Sequence, residues 1–126
     1  MHNVLARIWR DTRDQRTLSS LSQDELRAMV RSAIGAETAD AQRDMQGVMR
    51  YLLEIESEWL EARIAELLAA DLQRPRFTIE GVEEQLSIGI GGMTLALRLD
   101  RVDRLEDGSI VVIDYKTGGD AEPDAW

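Results

Sequence analysis

"LALRLDRVDRLEDGSIVVIDYKTGG", residues 95–119, alternates apolar and polar side chains over Leu95, Leu97 and Leu99, turns near Glu106-Asp107-Gly108, and resumes with the apolar run Ile110–Ile113. Period-two alternation interrupted by a Gly-containing turn marks a β-hairpin. With a three-residue loop of Glu106, Asp107 and Gly108, Leu105 pairs with Ser109 and Asp100 stands opposite Asp114. Gly108 supplies the left-handed residue that such a loop needs. A two-residue loop would instead set Asp100 against Tyr115, on the wrong face. The three-residue loop is the expectation. Asp114 and Lys116 are two apart on a strand and share a face. Two carboxylates should therefore lie side by side, with an ammonium one pleat further on. The run Ile110–Ile113, apolar on both faces, reads as a central strand covered on both sides.

Upstream of this hairpin, Phe77 and Ile79 start a strand, and Leu86, Ile88 and Ile90 alternate in the next stretch before a Gly91-Gly92 turn. Pro75 separates this part from a helical one. There "HNVLARIWRDTRDQ" (residues 2–15) places Leu5, Ile8, Trp9 and Thr12 on one helical stripe. Ser22 and Glu25 form a capping box, so a helix is expected over Gln23–Ile34, stopping near Gly35. A longer helix is expected from about Asp40 to Leu72, with Met45 among its apolar positions and Gly47 as the place where it kinks or is interrupted. Trp9 and Trp59 are expected in the core. The fold class is α/β with α+β order along the chain: helices over 1–72, then a mainly antiparallel β-meander over 73–126.

The chain of 126 residues has the apolar fraction of a globular domain, with a hydrophobic content of 44%. It has no cysteine, which excludes disulfides and a cysteine-ligated iron–sulfur cluster within these residues. No apolar run has membrane-span length and no signal-peptide core is present, so a cytoplasmic protein without membrane contact is expected. The net charge of −9 argues against a generic nucleic-acid-coating protein. Charge is uneven, however: residues 1–34 carry a net positive charge, and Arg7, Arg10 and Arg13 are the candidates there for phosphate contact. The small acidic tail "GGDAEPDAW" reads as a loop, and the whole as a domain of a longer protein.

Lys116 is the single lysine among fifteen basic residues. Arginine serves everywhere else, so position 116 reads as one that needs a compact ammonium. Two carboxylates at cross-strand distance repel, and a proton, an arginine or a divalent cation would compensate. Arg98, Arg101 and Arg104 are near enough in sequence for plain strand-end salt bridges. A cluster of oxygen ligands suits Mg²⁺ or Mn²⁺, which would favour metal-assisted phosphodiester hydrolysis. Asp103 is expected to pair with Arg101 or Arg104. Tyr115 should face away from Lys116, leaving its backbone carbonyl as the available ligand.

Residues 95–119 resemble the core of RecB/AddB-type nuclease domains of the PD-(D/E)XK superfamily, with their Asp-Arg-x-Asp, turn, and hydrophobic strand ending in Asp-Tyr-Lys-Thr. "RPRFTIEGVEEQLSI" (74–88) is similar to the segment leading into that core. "EIESEWLEARIAELLAADLQRPRF" (54–77) is similar to bacterial predicted DNA repair exonucleases of this type. The resemblance covers nearly the whole chain and implies a restriction-endonuclease-like core, truncated at the C-terminus. It also implies a nuclease of DNA repair or recombination using Mg²⁺, with Mn²⁺ accepted. By it, Asp100 and Asp114 are metal-binding acids, Lys116 is the catalytic lysine, and Tyr115 contributes its carbonyl. His2, followed by "NVLARIW", is similar to the family's helical histidine, and shares the helix face of Leu5 and Trp9. Glu83 matches a frequently acidic position and is a possible accessory residue. Partners implied are DNA and the other domains or subunits of a helicase–nuclease complex. The alternative is a catalytically inactive DNA-binding or assembly module of such a complex. Leu97 departs from a family glycine, and the family's downstream Gln-x-x-x-Tyr helix is missing from the sequence.

Overall fold

A computed structural model describes residues 1–44 and 46–116. Its elements run α1 (His2–Thr12), α2 (Gln15–Ser20), α3 (Gln23–Asp44), α4 (Val48–Leu72), β1 (Phe77–Ile90), β2 (Met93–Leu105) and β3 (Ile110–Ile113). The helices come first and an antiparallel sheet of order β1-β2-β3 follows, the expected α+β arrangement. Met45 and the tail from Thr117 onward, expected as part of a helix and as a loop, lie outside the described residues.

The helices pack together through Leu5, Ile8 and Trp9 of α1, Leu18 of α2, Val30 and Ile34 of α3, and Ile64 and Leu68 of α4. Phe77 of β1 joins this core, its ring edge-on to Trp9 at 5.6 Å between centroids. No helix among the described residues is long and apolar enough to cross a membrane.

Helix boundaries depart from the expectation in three places. The first predicted helix breaks after Thr12, where Arg13 takes a left-handed conformation (φ 63°). Its carbonyl accepts a hydrogen bond from Ile79 N at 2.7 Å, tying the α1 end to β1. Asp14 then caps the unpredicted α2 by accepting from Thr17 N at 2.6 Å. The Ser22–Glu25 capping box forms reciprocally, at 3.2 and 2.8 Å. The helix it opens does not stop at Gly35 but runs through it to Asp44. An interior glycine costs only about 1 kcal/mol relative to alanine, and α3 is held on both sides of it. Ala33 and Ile34 are buried before it, and Glu37 pairs with Arg7 at 3.1 Å after it. The break falls at Gly47, which has φ 62°.

Trp9 is fully buried, but Trp59 is 65% exposed, contrary to the expectation. The periodic stripe of α4 is real, yet its buried side chains lie in the C-terminal half, at Ile64, Leu68 and Asp71. Trp59 shares the exposed surface with Met49, Leu52 and Ile55.

The stretches beginning at Phe77 and at Leu86 are one continuous strand, β1, with a register irregularity between Ile79 and Gly81. The irregularity changes which alternate residues face the helices, so Phe77, Ile79 and then Val82 lie against the core. Gly91 and Gly92 make the β1–β2 turn with positive φ. β2 runs unbroken through Leu97, which pairs with Leu86, so the missing glycine leaves the strand's path intact. β3 is not the doubly covered central strand expected of its sequence. Among the described residues it pairs with β2 alone, and Ile110 and Val112 are about half exposed.

Candidate active site

The hairpin register is the three-residue one. Leu105 N donates to Ser109 O at 2.9 Å, Gly108 has φ 84°, and the ladder pairs Arg101 with Ile113. Continued by one residue, that register sets Asp100 opposite Asp114. On the other side of β2, the pairs Val82–Arg101 and Glu84–Leu99 flank Glu83 and Asp100. Glu83, Asp100 and Asp114 therefore fall in one row across the sheet.

His2 reaches this row from the first turn of α1. Its Nε2 lies against the Tyr115 carbonyl oxygen and 3.5 Å from Asp100 Oδ2. The same Asp100 oxygen accepts from Tyr115 N at 2.8 Å. Asp114 Oδ2 and Lys116 Nζ are 2.6 Å apart, both well exposed. The lysine's hydrogen bond holds the Asp114 carboxyl below its ordinary pKa, with smaller help from Asp100 and His2. Asp114 in turn raises the Lys116 ammonium above its own.

The nearby arginines do not neutralise these two aspartates. Arg98 bonds Glu83 at 2.6 Å, Arg101 bonds Asp71 and Asp103, and Arg104 bonds Glu80 at 2.7 Å. Asp103, fully buried, pairs with Arg101 as expected; its second partner is Arg74 at 2.8 Å, in place of Arg104. Glu83 is not a solvated strand residue. It takes a positive φ of 54° and binds both Arg98 and Arg10, and the bond from Arg10 is the main reason its carboxyl titrates low. Arg10 thus stands beside the row of acids. Arg7 is turned to Glu37 on α3, and Arg13 serves as the α1 cap.

Tyr115 points away from Lys116, into the core side. Its hydroxyl accepts from Arg101 Nη1 at 2.8 Å and from Trp9 Nε1 at 3.2 Å. Burial pushes that phenol's pKa up to about 12. Arg101 is the hub of a buried network that sequence reading did not find. It grips Asp71 through two bonds of 2.8 and 2.9 Å and Asp103 through one of 2.8 Å, and lies 4.3 Å over the Trp9 ring. Its Nε and Asp103 Oδ1 are also 2.8 Å apart, without the alignment of a hydrogen bond. Burial opposes the guanidinium's charge, but its anionic partners outweigh burial and raise its pKa. The signal for this network was the Arg101–Asp103 pair on the core face of a strand. Asp71, thirty residues away, gave none.

The donor chemistry fits a hard divalent cation: an imidazole nitrogen, carboxylate oxygens and a peptide carbonyl. Neighbouring ligands of an octahedral ion with 2.0–2.1 Å bonds lie about 3 Å apart, close to the observed His2–Asp100 spacing. Among the described residues no three His, Cys, Asp or Glu side chains are gathered tightly enough to hold a metal. Asp114 is drawn to Lys116, and the carbonyl of Tyr115 is not a side chain. A groove of about 430 Å³ opens beside Asp114 and Lys116, lined also by Arg63, Leu67 and Ile113.

The model of the PD-(D/E)XK nuclease superfamily matches residues 1–125. No curated protein and no solved structure matches the chain.

Proposed function

The chain belongs to the PD-(D/E)XK nuclease superfamily, and on that premise we propose that it is a divalent-metal-dependent deoxyribonuclease of the RecB/AddB-like kind. The observation that carries this reading is the meeting of His2, Asp100, the Tyr115 carbonyl, Asp114 and Lys116 where β3 ends beside the middle of β2. The two aspartates there have three arginines nearby in sequence, each committed to another partner. Among the described residues Asp114 has Lys116 as its cationic partner and Asp100 has no arginine or lysine, and two acids that share one ammonium beside an imidazole suit a divalent cation.

His2 Nε2, Asp100, the Tyr115 carbonyl and Asp114 would hold Mg²⁺ or Mn²⁺. Such an ion supplies Lewis-acid activation of a phosphoryl oxygen and of a bound water. Lys116, tethered to Asp114, would offer its ammonium to orient water and to stabilise the negative charge that develops on phosphate. Arg10 and Arg98, gathered by Glu83 beside Asp100, would contact neighbouring phosphates, which fix a strand's position without reading its sequence. The likeness of residues 95–119 to RecB/AddB-type domains supports work in DNA repair or recombination, as a domain of a larger helicase–nuclease protein in the cytoplasm.

The test is cleavage of linear single- and double-stranded DNA by the intact protein with Mg²⁺ or Mn²⁺. Cleavage should be abolished by chelation and by Asp100→Asn. Chelator-resistant cleavage, or full activity in Asp100→Asn, would refute the proposal. Metal binding with no cleavage of any DNA would favour the inactive DNA-binding module.

A further inference from the structure

We infer that Tyr115 is a positioning residue: its buried hydroxyl, pinned by Arg101 and Trp9, fixes where Asp114 and Lys116 sit. The paired part of β3 ends at Ile113. Asp114, Tyr115 and Lys116 therefore lie beyond the ladder that would ordinarily hold a strand residue in place. Yet the proposed chemistry depends on these three residues.

The fixing point lies on the opposite face. Tyr115 sends its ring towards the core, where two fully buried residues donate to its oxygen. Neither donor is free to wander. Trp9 packs in the helical core, and Arg101 is held by Asp71 from α4, by Asp103 from its own strand, and by the face of Trp9. The anchor thus brings α1 and β2 onto one oxygen atom, with α4 behind them through its grip on Arg101. A tyrosine ring is a rigid lever with two side-chain torsions, so a fixed hydroxyl fixes the backbone that carries it. That backbone faces the site: Tyr115 N donates to Asp100 and Tyr115 O meets His2. Because side chains alternate along extended backbone, holding 115 inward holds 114 and 116 outward together.

The inference rests on the metal-site reading for one of its two readouts and is independent of it for the other. Tyr115→Phe keeps the ring and removes the hydroxyl, while Arg101 retains Asp71 and Asp103. The first readout is amide hydrogen exchange in metal-free protein. The Tyr115 amide, bonded to Asp100, should exchange at least ~10-fold faster in the variant while amides of the β2–β3 ladder keep their rates. The second readout is Mn²⁺ affinity by calorimetry, expected to fall ~10- to 100-fold, the usual effect of losing a group that orients a ligand. Ile34→Val, which trims a buried α3 side chain, is the control for general destabilisation and should move neither readout. Should Tyr115→Phe fail to fold, 3,5-difluorotyrosine at 115, measured at mildly acidic pH where its more acidic hydroxyl stays neutral and is a weaker acceptor, replaces it. Unchanged exchange at Tyr115 overturns the inference, as does an equal change in Ile34→Val. If the wild type itself binds no Mn²⁺, the metal-site reading fails, and the exchange result alone decides the role of Tyr115.

Discussion

Replacing Arg101 with methionine should be among the most damaging single changes to the fold. The side chain is completely buried and makes four N–H···O bonds of 2.8–2.9 Å, two to Asp71, one to Asp103 and one to Tyr115. Methionine fills similar apolar space over Trp9 but donates nothing. Asp71 and Asp103 would then share Arg74 alone, which bonds each of them at 2.8 Å. One cation against two buried anions leaves an uncompensated charge. Breaking a buried pair in this way costs about 3–5 kcal/mol, and the surviving Arg74 argues for the lower end. Against a total stability of about 5–15 kcal/mol, that is a large share, and the thermal midpoint should fall by roughly 10 °C or more. Urea and thermal unfolding at neutral pH, followed by circular dichroism, measure it. Adding Asp103→Asn restores one cation to one anion and should recover about half the loss or more. A cost below about 1 kcal/mol for Arg101→Met, or no recovery in the double variant, would refute the reasoning.

Three further outcomes are expected. Asp114→Asn should leave the unfolding midpoint of metal-free protein unchanged, because Asp114 and Lys116 are both largely exposed and such pairs add little; a large drop in thermal denaturation would make Asp114 a structural residue. Tyr115, raised from 10.0 to about 12 by burial, binds its proton more tightly folded than unfolded, so stability is complete below pH 10 and falls between pH 10 and 12. The loss should be on the order of 2 kcal/mol, and the Tyr115→Phe variant should lack this phase in alkaline denaturation. Lys116→Arg should lower turnover on DNA in the intact protein by ~100-fold or more, since a planar guanidinium cannot replace a compact ammonium in a tight site; near-normal cleavage would mean that any cation serves at 116.

What could be read from the sequence was whatever had a local cause. The Ser22–Glu25 box, the Gly91-Gly92 turn and the odd loop at Glu106–Gly108 are each set by residues a few positions apart. The loop's parity alone was enough to bring Asp100 opposite Asp114. Gly35 and Gly47 look alike in sequence, and only the tertiary support of α3 around Ile34 and Glu37 separates them. Periodicity found the stripe on α4 but could not say how far the core extends along it, so Trp59 was misplaced. An apolar strand such as Ile110–Ile113 carries no mark of whether a neighbour pairs with its outer edge. The Arg101 network was illegible for a different reason: it joins Trp9, Asp71, Asp103 and Tyr115, residues that only the packed helices and sheet bring together.

The most direct measurement is a calorimetric titration of the intact, metal-free protein with Mn²⁺, run beside Asp100→Asn and His2→Ala. Saturable binding by the wild type, weakened at least ~10-fold in each variant, is the expected result. No binding by the wild type, or equal binding by all three proteins, would contradict the assignment of His2 and Asp100 to a metal centre.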